Sequence, residues 1–565
     1  MDFFRPQSYL PISTQDICSW LFDRAAFNPD RPVYIDAQNP SISISWRQAS
    51  KMVRQLIAGL RAAGFKEGDC LNLHSFNDVN YTMIVLATIG AGGVITASDP
   101  TSKEEQLKHH IKTSDCNWLI AQPGVMTEAV KAADTVGLPR SHIFIFDTKA
   151  TQAVPEGFNS WKELMCHGEA DWVRFNDLER SKNTTAARLF SSGTTGPPKA
   201  ISISHRNFIA QHVSTMDEWR ADYIRRILIA VPCFHAAAFP TTHISSLKTG
   251  DMTYLMPVFD LKAYVEAHLK YEITEMVMLP PIVRVILNSP LANPKFFQTV
   301  RRGLCGAAPM DKDTQERFRA LLAPGTTYTQ VWGMTETTTL ITAFAPWEHD
   351  DTGSVGRQLP SVEIKLIDGD GNAITAYNRP GEVLVRGPAV SQGYHNNTKA
   401  TANDFSRDGW FHTGDIGYCD EETKKWYIVE RKKEIINMRG KQIAPAELEA
   451  TLLSHPEIAD CAVIGVKTRP SSRNGGASSA NSHGDSEYPR AYIVRKPGSD
   501  LTDLDVHRFM QLKMARFQQL TGGIRFVEAI PKSLSGKILK RVLREEAKAE
   551  IEGSDQEARP HQLRL

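Results

Sequence analysis

The sequence lacks an excess of either charge. Its 65 Lys and Arg stand against 64 Asp and Glu, a formal net charge of +1. No basic field therefore recommends nucleic acid or an anionic membrane as a partner. It also lacks paired cysteines: the eight it has, at 18, 70, 116, 166, 233, 305, 419 and 461, form no CxxC pair. That argues against the usual zinc spacings and a disulfide framework, and it fits a reducing compartment. A secretory opening is missing, because MDFFRPQSYL has no basic start followed by an apolar run. The longest membrane-like stretch, 79–98, holds Gly90, Gly92 and Gly93 between Asp78 and Asp99. It reads as a buried helix followed by a strand, so no transmembrane segment is expected. The closing LRL is a loose match to an SKL-type address, with Leu563 where a small residue is preferred. A cytoplasmic protein is expected, with the peroxisome as the alternative.

The chain also lacks the GxxxxGK[ST] nucleotide loop. Residues 189–205 read LFSSGTTGPPKAISISH. Gly193 and Gly196 are three apart, Lys199 follows two prolines, and Ala200 stands where Ser or Thr would hold magnesium. Yet hydroxyls, glycines and one lysine between apolar runs are the donors and charge that a phosphate needs. A flexible surface turn is the plainer alternative.

What is present is a large apolar fraction, 41% of 565 residues, enough for several domains around sizeable cores. Residues 46–63 put Met52, Leu56, Ile57 and Leu60 on one helical face. CLNLH, GVITA, IFIFD and RILIAVP read as strands between helices, which implies a layered α/β domain with a mostly parallel sheet. Near 355 the texture changes: VEIKLID and GEVLVRG alternate around DGDGN, as antiparallel strands of a small barrel-like β subdomain do. KWYIVE, a helix opened by Pro445, CAVIGV, RAYIV and LTDLDVHRFMQLKM then suggest a compact α+β module. Residues 469–487 are Gly-, Ser- and Asn-rich and read as a disordered loop. The expected division is 1–432 and 433–565.

Further polar clusters follow in order: TQVWGMTET (329–337), DGWFHTGDIG (408–417), VERKKEIINMRGKQIAPAELE (429–449) and PKSLSGKILKR (531–541). With SSGTTGPPK, this ordered set resembles the adenylate-forming superfamily of acyl-CoA synthetases, carrier-protein adenylation domains and luciferases. It is most like the coumarate-CoA-ligase-like acyl and aryl ligases. The resemblance runs from about residue 40 to 545. It implies that a carboxylic acid attacks ATP to give acyl-AMP and pyrophosphate, and that coenzyme A then takes the acyl group. A carrier-protein phosphopantetheine is the alternative acceptor, and a nucleotide-binding regulator without turnover the alternative class.

The resemblance also implies roles. Ser191, Ser192, Gly193, Thr194, Thr195, Gly196 and Lys199 would hold ATP phosphates. Thr335 would contact phosphate and Glu336 would hold Mg²⁺, a hard cation content with one carboxylate plus phosphates; as a local alternative, the two simply start a helix. Gly306, Ala307, Gly333 and Trp332 would border the nucleotide, Trp332 standing where relatives carry a Tyr beside adenine. Asp415 would accept the ribose hydroxyls and Arg431 would reach the nucleotide, unless the two form a plain ion pair. Lys537 would bridge carboxylate and α-phosphate in adenylation; read alone, it is one base on a KILKRVLR face. His235 would line the acyl pocket with Ala236, Ala237, Ala308, Val331 and Met334. Those small and apolar side chains suit an aryl, arylalkanoic or medium-chain acid, and no acidic partner awaits an α-ammonium. Lys433 would be the hinge for rotation of the C-terminal domain. Arg439, Gly440 and Lys441 would line the CoA channel.

Overall fold

The helix read from 46–63 forms over Trp46–Ala62. Ser45 starts it: its hydroxyl accepts the Gln48 backbone N–H while the Gln48 side chain returns to the Ser45 N–H, satisfying two orphaned donors. Val53, Leu56, Ile57 and Leu60 face inward. In the computed structural model, residues 2–149, 151–191, 197–438, 441–467, 486–532 and 537–557 are described. The uncharged 79–98 stretch folds as the wholly buried helix Tyr81–Gly90 and the buried strand Val94–Ser98. Among the described residues no helix is long and apolar enough to cross a membrane.

Two seven-stranded sheets carry the N-terminal region. One runs Asn159–Ser160, Ile143–Ile145, Trp118–Ala121, Cys70–His74, Val94–Ser98, Thr185–Phe190 and Ala200–Ser204, parallel except for its last pair. The other runs Thr327–Gln330, Arg302–Cys305, Glu275–Met278, Arg226–Ile229, Met252–Leu255, Pro32–Asp36 and Ser43–Ser45, again parallel except at one edge. Helices cover the faces, and a single apolar cluster joins Leu56, Ile84, Ile201 and Phe239 across both sheets. Parallel sheets need this double cover because both faces must leave water.

The alternating segments beyond 355 build a five-stranded antiparallel sheet in the order Ala373–Ile374, Glu363–Ile367, Gly381–Arg386, Phe411–Cys419, Trp426–Arg431. KWYIVE, grouped from sequence with the C-terminal module, is instead the edge of this sheet. Its buried Trp426 belongs to the β subdomain's core with Ile364, Val383 and Phe411. A turn over 432–434 follows, then the ribbon of Ile436–Met438 and Lys441–Ile443. The module beyond has its own three-stranded sheet, its own core and the helices Pro445–Leu453, Asp503–Lys513 and Lys540–Glu557. The loop expected over 469–487 lies outside the described residues except for Ser486 and Glu487.

Candidate active site

Parallel pairing in register brings three separated motifs level. Met278 lies opposite Cys305, and Cys305 opposite Gln330. Leu279, Gly306 and Val331 therefore leave the sheet side by side at its carboxyl edge, where open α/β sheets hold ligands. A cavity of about 1280 Å³ opens there. One end is lined by His235, Ala236, Ala237, Met278, Leu279 and Leu340. Val331, Gly333, Met334, Thr335, Glu336 and Ala307 form the adjoining wall. The other end receives Ser191 and Lys199 from the first sheet, Gly414 and Arg431 from the β subdomain, Lys433 from the turn and Lys537 from beyond it.

Lys537 thus reaches the same cavity as His235 and Glu336, although 302 residues separate it from the histidine (537 − 235). Burial, then Arg431, push its ammonium down to about 8, while Asp415, Glu434 and Glu336 pull the other way. Burial, then Lys537, push His235 down to about 4, so its imidazole is neutral near pH 7. Nδ1 accepts the Ala237 backbone N–H at 3.2 Å, which leaves the proton on Nε2 as a donor. Burial raises the Glu336 carboxyl, whose Oε1 lies 3.3 Å from the Tyr394 hydroxyl.

Asp415 and Arg431 are cross-strand partners in the β subdomain. The Arg431 Nε lies 3.2 Å from Asp415 Oδ1, yet that oxygen accepts no aligned hydrogen bond. The Trp332 indole N–H donates to Asp415 Oδ2 at 2.8 Å. Burial raises the Asp415 carboxyl against the pull of Arg431.

A model of the AMP-binding enzyme family matches residues 21–395. The chain belongs to the AMP-binding enzyme family. It is 46% identical over 545 residues to a phenylacetyl-CoA ligase of Aspergillus niger, spanning 96% of this chain and 98% of that one. An acyl-CoA ligase of the same species is 45% identical over 545 residues, 96% of this chain and 100% of the relative. The solved structure of ATP-bound MatB from Rhodopseudomonas palustris matches with a TM-score of 0.81 at 25% identity, over 96% of this chain and 100% of that chain.

In this AMP-binding enzyme several expected contacts fall elsewhere. Trp332 is not on the cavity wall. It packs beside Ile341 and Val385 and spends its indole N–H on Asp415, one layer behind Gly333 and Gly414. Asp415 is likewise behind the wall rather than on it, and so is Ala308. Ala307 holds a left-handed φ of +67°, a conformation that turns the chain sharply before Ala308. Lys441 is off the wall too, its ammonium 4.4 Å from the Phe517 ring centre. Ser192, Gly193, Thr194, Thr195 and Gly196, with Arg439 and Gly440, lie outside the described residues. The base of that first loop is closed by Phe190 pairing with Ala200 and by the Ser191 N–H donating to the Lys199 carbonyl at 3.3 Å.

Tyr394, Asp404 and Thr339 also line the cavity, and none was singled out from sequence. The Thr339 hydroxyl donates to the Ala236 carbonyl at 2.8 Å, tying the GMTE segment to the histidine segment. Nothing in the spacing of GYHNNTKATANDF marks its Tyr and Asp; only tertiary folding brings them to Glu336. Among the described residues no group of three or more His, Cys, Asp or Glu could hold a metal. Glu336 alone, oxygen-only and weakly hydrogen-bonded, fits a hard cation that takes its other ligands from phosphates and water.

Proposed function

We propose that this AMP-binding enzyme is an acid–thiol ligase that activates an apolar carboxylic acid with ATP and passes it to coenzyme A. The supporting observation is the meeting of Lys537, His235 and Glu336 around one cavity with an apolar end and a charged end. The acid's carboxylate oxygen attacks the α-phosphorus, the bond to the bridging oxygen breaks, and pyrophosphate leaves. The thiol of CoA, losing its proton, then attacks the acyl carbon, and AMP departs with the bonding electrons.

In the first step negative charge gathers between two anions. The Lys537 ammonium suits that place, since positive charge held in a poorly hydrated cleft acts strongly there. The neutral His235 Nε2–H would orient the incoming carboxylate without itself taking a proton. Lys199 would meet the outer phosphates. Mg²⁺, held by Glu336, would neutralise phosphate charge. Asp415 lies behind the wall beside Arg431, so a ribose would reach its Oδ1 only by displacing the guanidinium from that oxygen. The turn at Lys433 supports rotation of the 433–565 domain about the large domain, 1–432, between the half-reactions.

For the acid, the wall of Ala237, Met278, Leu279, Val331 and Leu340 offers neither charge nor a strong donor. Together with the phenylacetyl-CoA ligase relative, this favours arylalkanoic acids such as phenylacetate. The test is ATP–pyrophosphate exchange with phenylacetate, cinnamate, hexanoate, malonate and phenylalanine, followed by CoA addition with AMP and thioester assayed together. Phenylacetate-type acids should support exchange and yield thioester. Preference for malonate or phenylalanine would refute the apolar assignment, and exchange without thioester would refute CoA as acceptor.

The Lys537 ammonium has to carry its proton to act. A lysine held near 8 loses that proton as pH rises through 8, so kcat/KM for ATP is expected to fall tenfold per pH unit above about 8. Arginine at 537 should abolish that fall, because guanidinium keeps its proton throughout. A wild-type profile flat to pH 10 would contradict the assignment.

A further inference from the structure

Lys199 does not project unaccompanied into the cavity. Its Nζ donates to Asp404 Oδ2 at 3.0 Å and sits 4.1 Å from the Tyr394 ring centre. The Tyr394 hydroxyl donates to the same Asp404 oxygen at 2.8 Å and lies 3.3 Å from Glu336 Oε1. Asp404 is thereby oriented by one partner and neutralised by another, over an aromatic face that itself favours a cation. Its location is unfavourable otherwise: it ends the helix Thr398–Asp404, where backbone carbonyls already concentrate negative charge.

We infer that Asp404 is a positioning residue whose carboxylate holds Lys199 in the nucleotide-free enzyme and competes with the triphosphate for it. A phosphate oxygen needs the same ammonium that Asp404 occupies, and it approaches against Asp404's own charge. ATP binding must therefore exchange one anion for another at Lys199. As pyrophosphate departs, Lys199 returns to Asp404, which lowers the cost of releasing that product. The carboxylate weakens the ground-state hold on nucleotide and favours turnover. This inference rests on the adenylating reading, from which the phosphate role of Lys199 comes.

The experiment is calorimetric titration with α,β-methylene-ATP and Mg²⁺ of the wild type, Asp404→Asn, Lys199→Ala and the double variant. The Lys199 and Asp404 side chains are 37% and 33% exposed, so solvent screens the pair and the effect is modest. Asp404→Asn is expected to bind the analogue about threefold tighter at low ionic strength, with the gain shrinking as salt is added. In the Lys199→Ala background the same change should leave affinity unaltered within about 1.5-fold, because the competition needs both members. Asn at a helix end keeps the fold, and equal melting temperatures would verify this. Weaker binding by Asp404→Asn would overturn the inference, as would a gain that persists without Lys199, which marks plain repulsion. A wild type that bound no analogue would instead sink the adenylating reading, and this inference with it.

Discussion

Lys537→Ala is expected to lower acid-dependent ATP–pyrophosphate exchange by about 10²-fold or more, the loss typical when a group stabilising transition-state charge is removed. Lys537 lines the cavity with His235 and Glu336, and its ammonium interacts electrostatically with Arg431, Asp415 and Glu336. The second half-reaction, started from synthetic acyl-AMP and CoA, should change far less, because the α-phosphorus has already been attacked. Lys537→Arg should recover part of the lost exchange. The charge returns, but a planar fork replaces a compact point donor. Exchange by the alanine variant within a factor of a few of wild type would remove Lys537 from the chemistry.

Gly333→Ala is the second large effect, and it reaches the chemistry through the backbone. Gly333 pairs with Leu340 across the hairpin that carries Thr335 and Glu336. A Cβ there would lie 1.7 Å from the Thr339 carbonyl oxygen and 2.6 Å from its carbon. Backbone atoms on both sides leave no side chain to swing aside, so the strands must part. Thr335 and Glu336 move with them, and Thr339 is pulled from the Ala236 carbonyl. A displacement on the order of 1 Å in a catalytic array costs about 10²-fold in rate, and that is the expected loss in kcat/KM. The strain should also cost about 1–3 kcal/mol of stability, read from denaturant midpoints. Gly124→Ala is the control: a Cβ at Gly124 meets nothing within 4 Å, and both rate and midpoint should hold. A Gly333→Ala enzyme with wild-type exchange would mean that this hairpin is not a rigid wall of the site.

Much of the candidate cavity wall was legible because its residues stand in short contiguous runs: Met334, Thr335 and Glu336 adjoin in GMTE, and all three line the cavity. The strands CLNLH, VEIKLID and GEVLVRG were readable for a similar reason: alternation and apolar runs are local consequences of which face is buried. The misplacements share one cause. Trp332 was assigned to adenine from its place in the motif. The direction of its indole depends on a β-subdomain core assembled from residues up to Trp426, and on the Asp415 carboxylate 83 positions away. KWYIVE was grouped with the wrong neighbours because a strand pattern reports a buried face but not the partner that buries it.

By itself, the amino-acid order determined the family, because several motifs stand in a fixed order, and the resemblance they carry pointed to the reaction class and to candidate phosphate, metal and lysine contacts. Tertiary structure alone decided which of them share a cavity. Register in the parallel sheet aligns Leu279, Gly306 and Val331, and the crossing of the β subdomain brings Tyr394 and Asp404 to Lys199. Those meetings follow from hydrogen-bonded register and from packing between layers. Such forces act between residues far apart in the chain, and no local pattern encodes them.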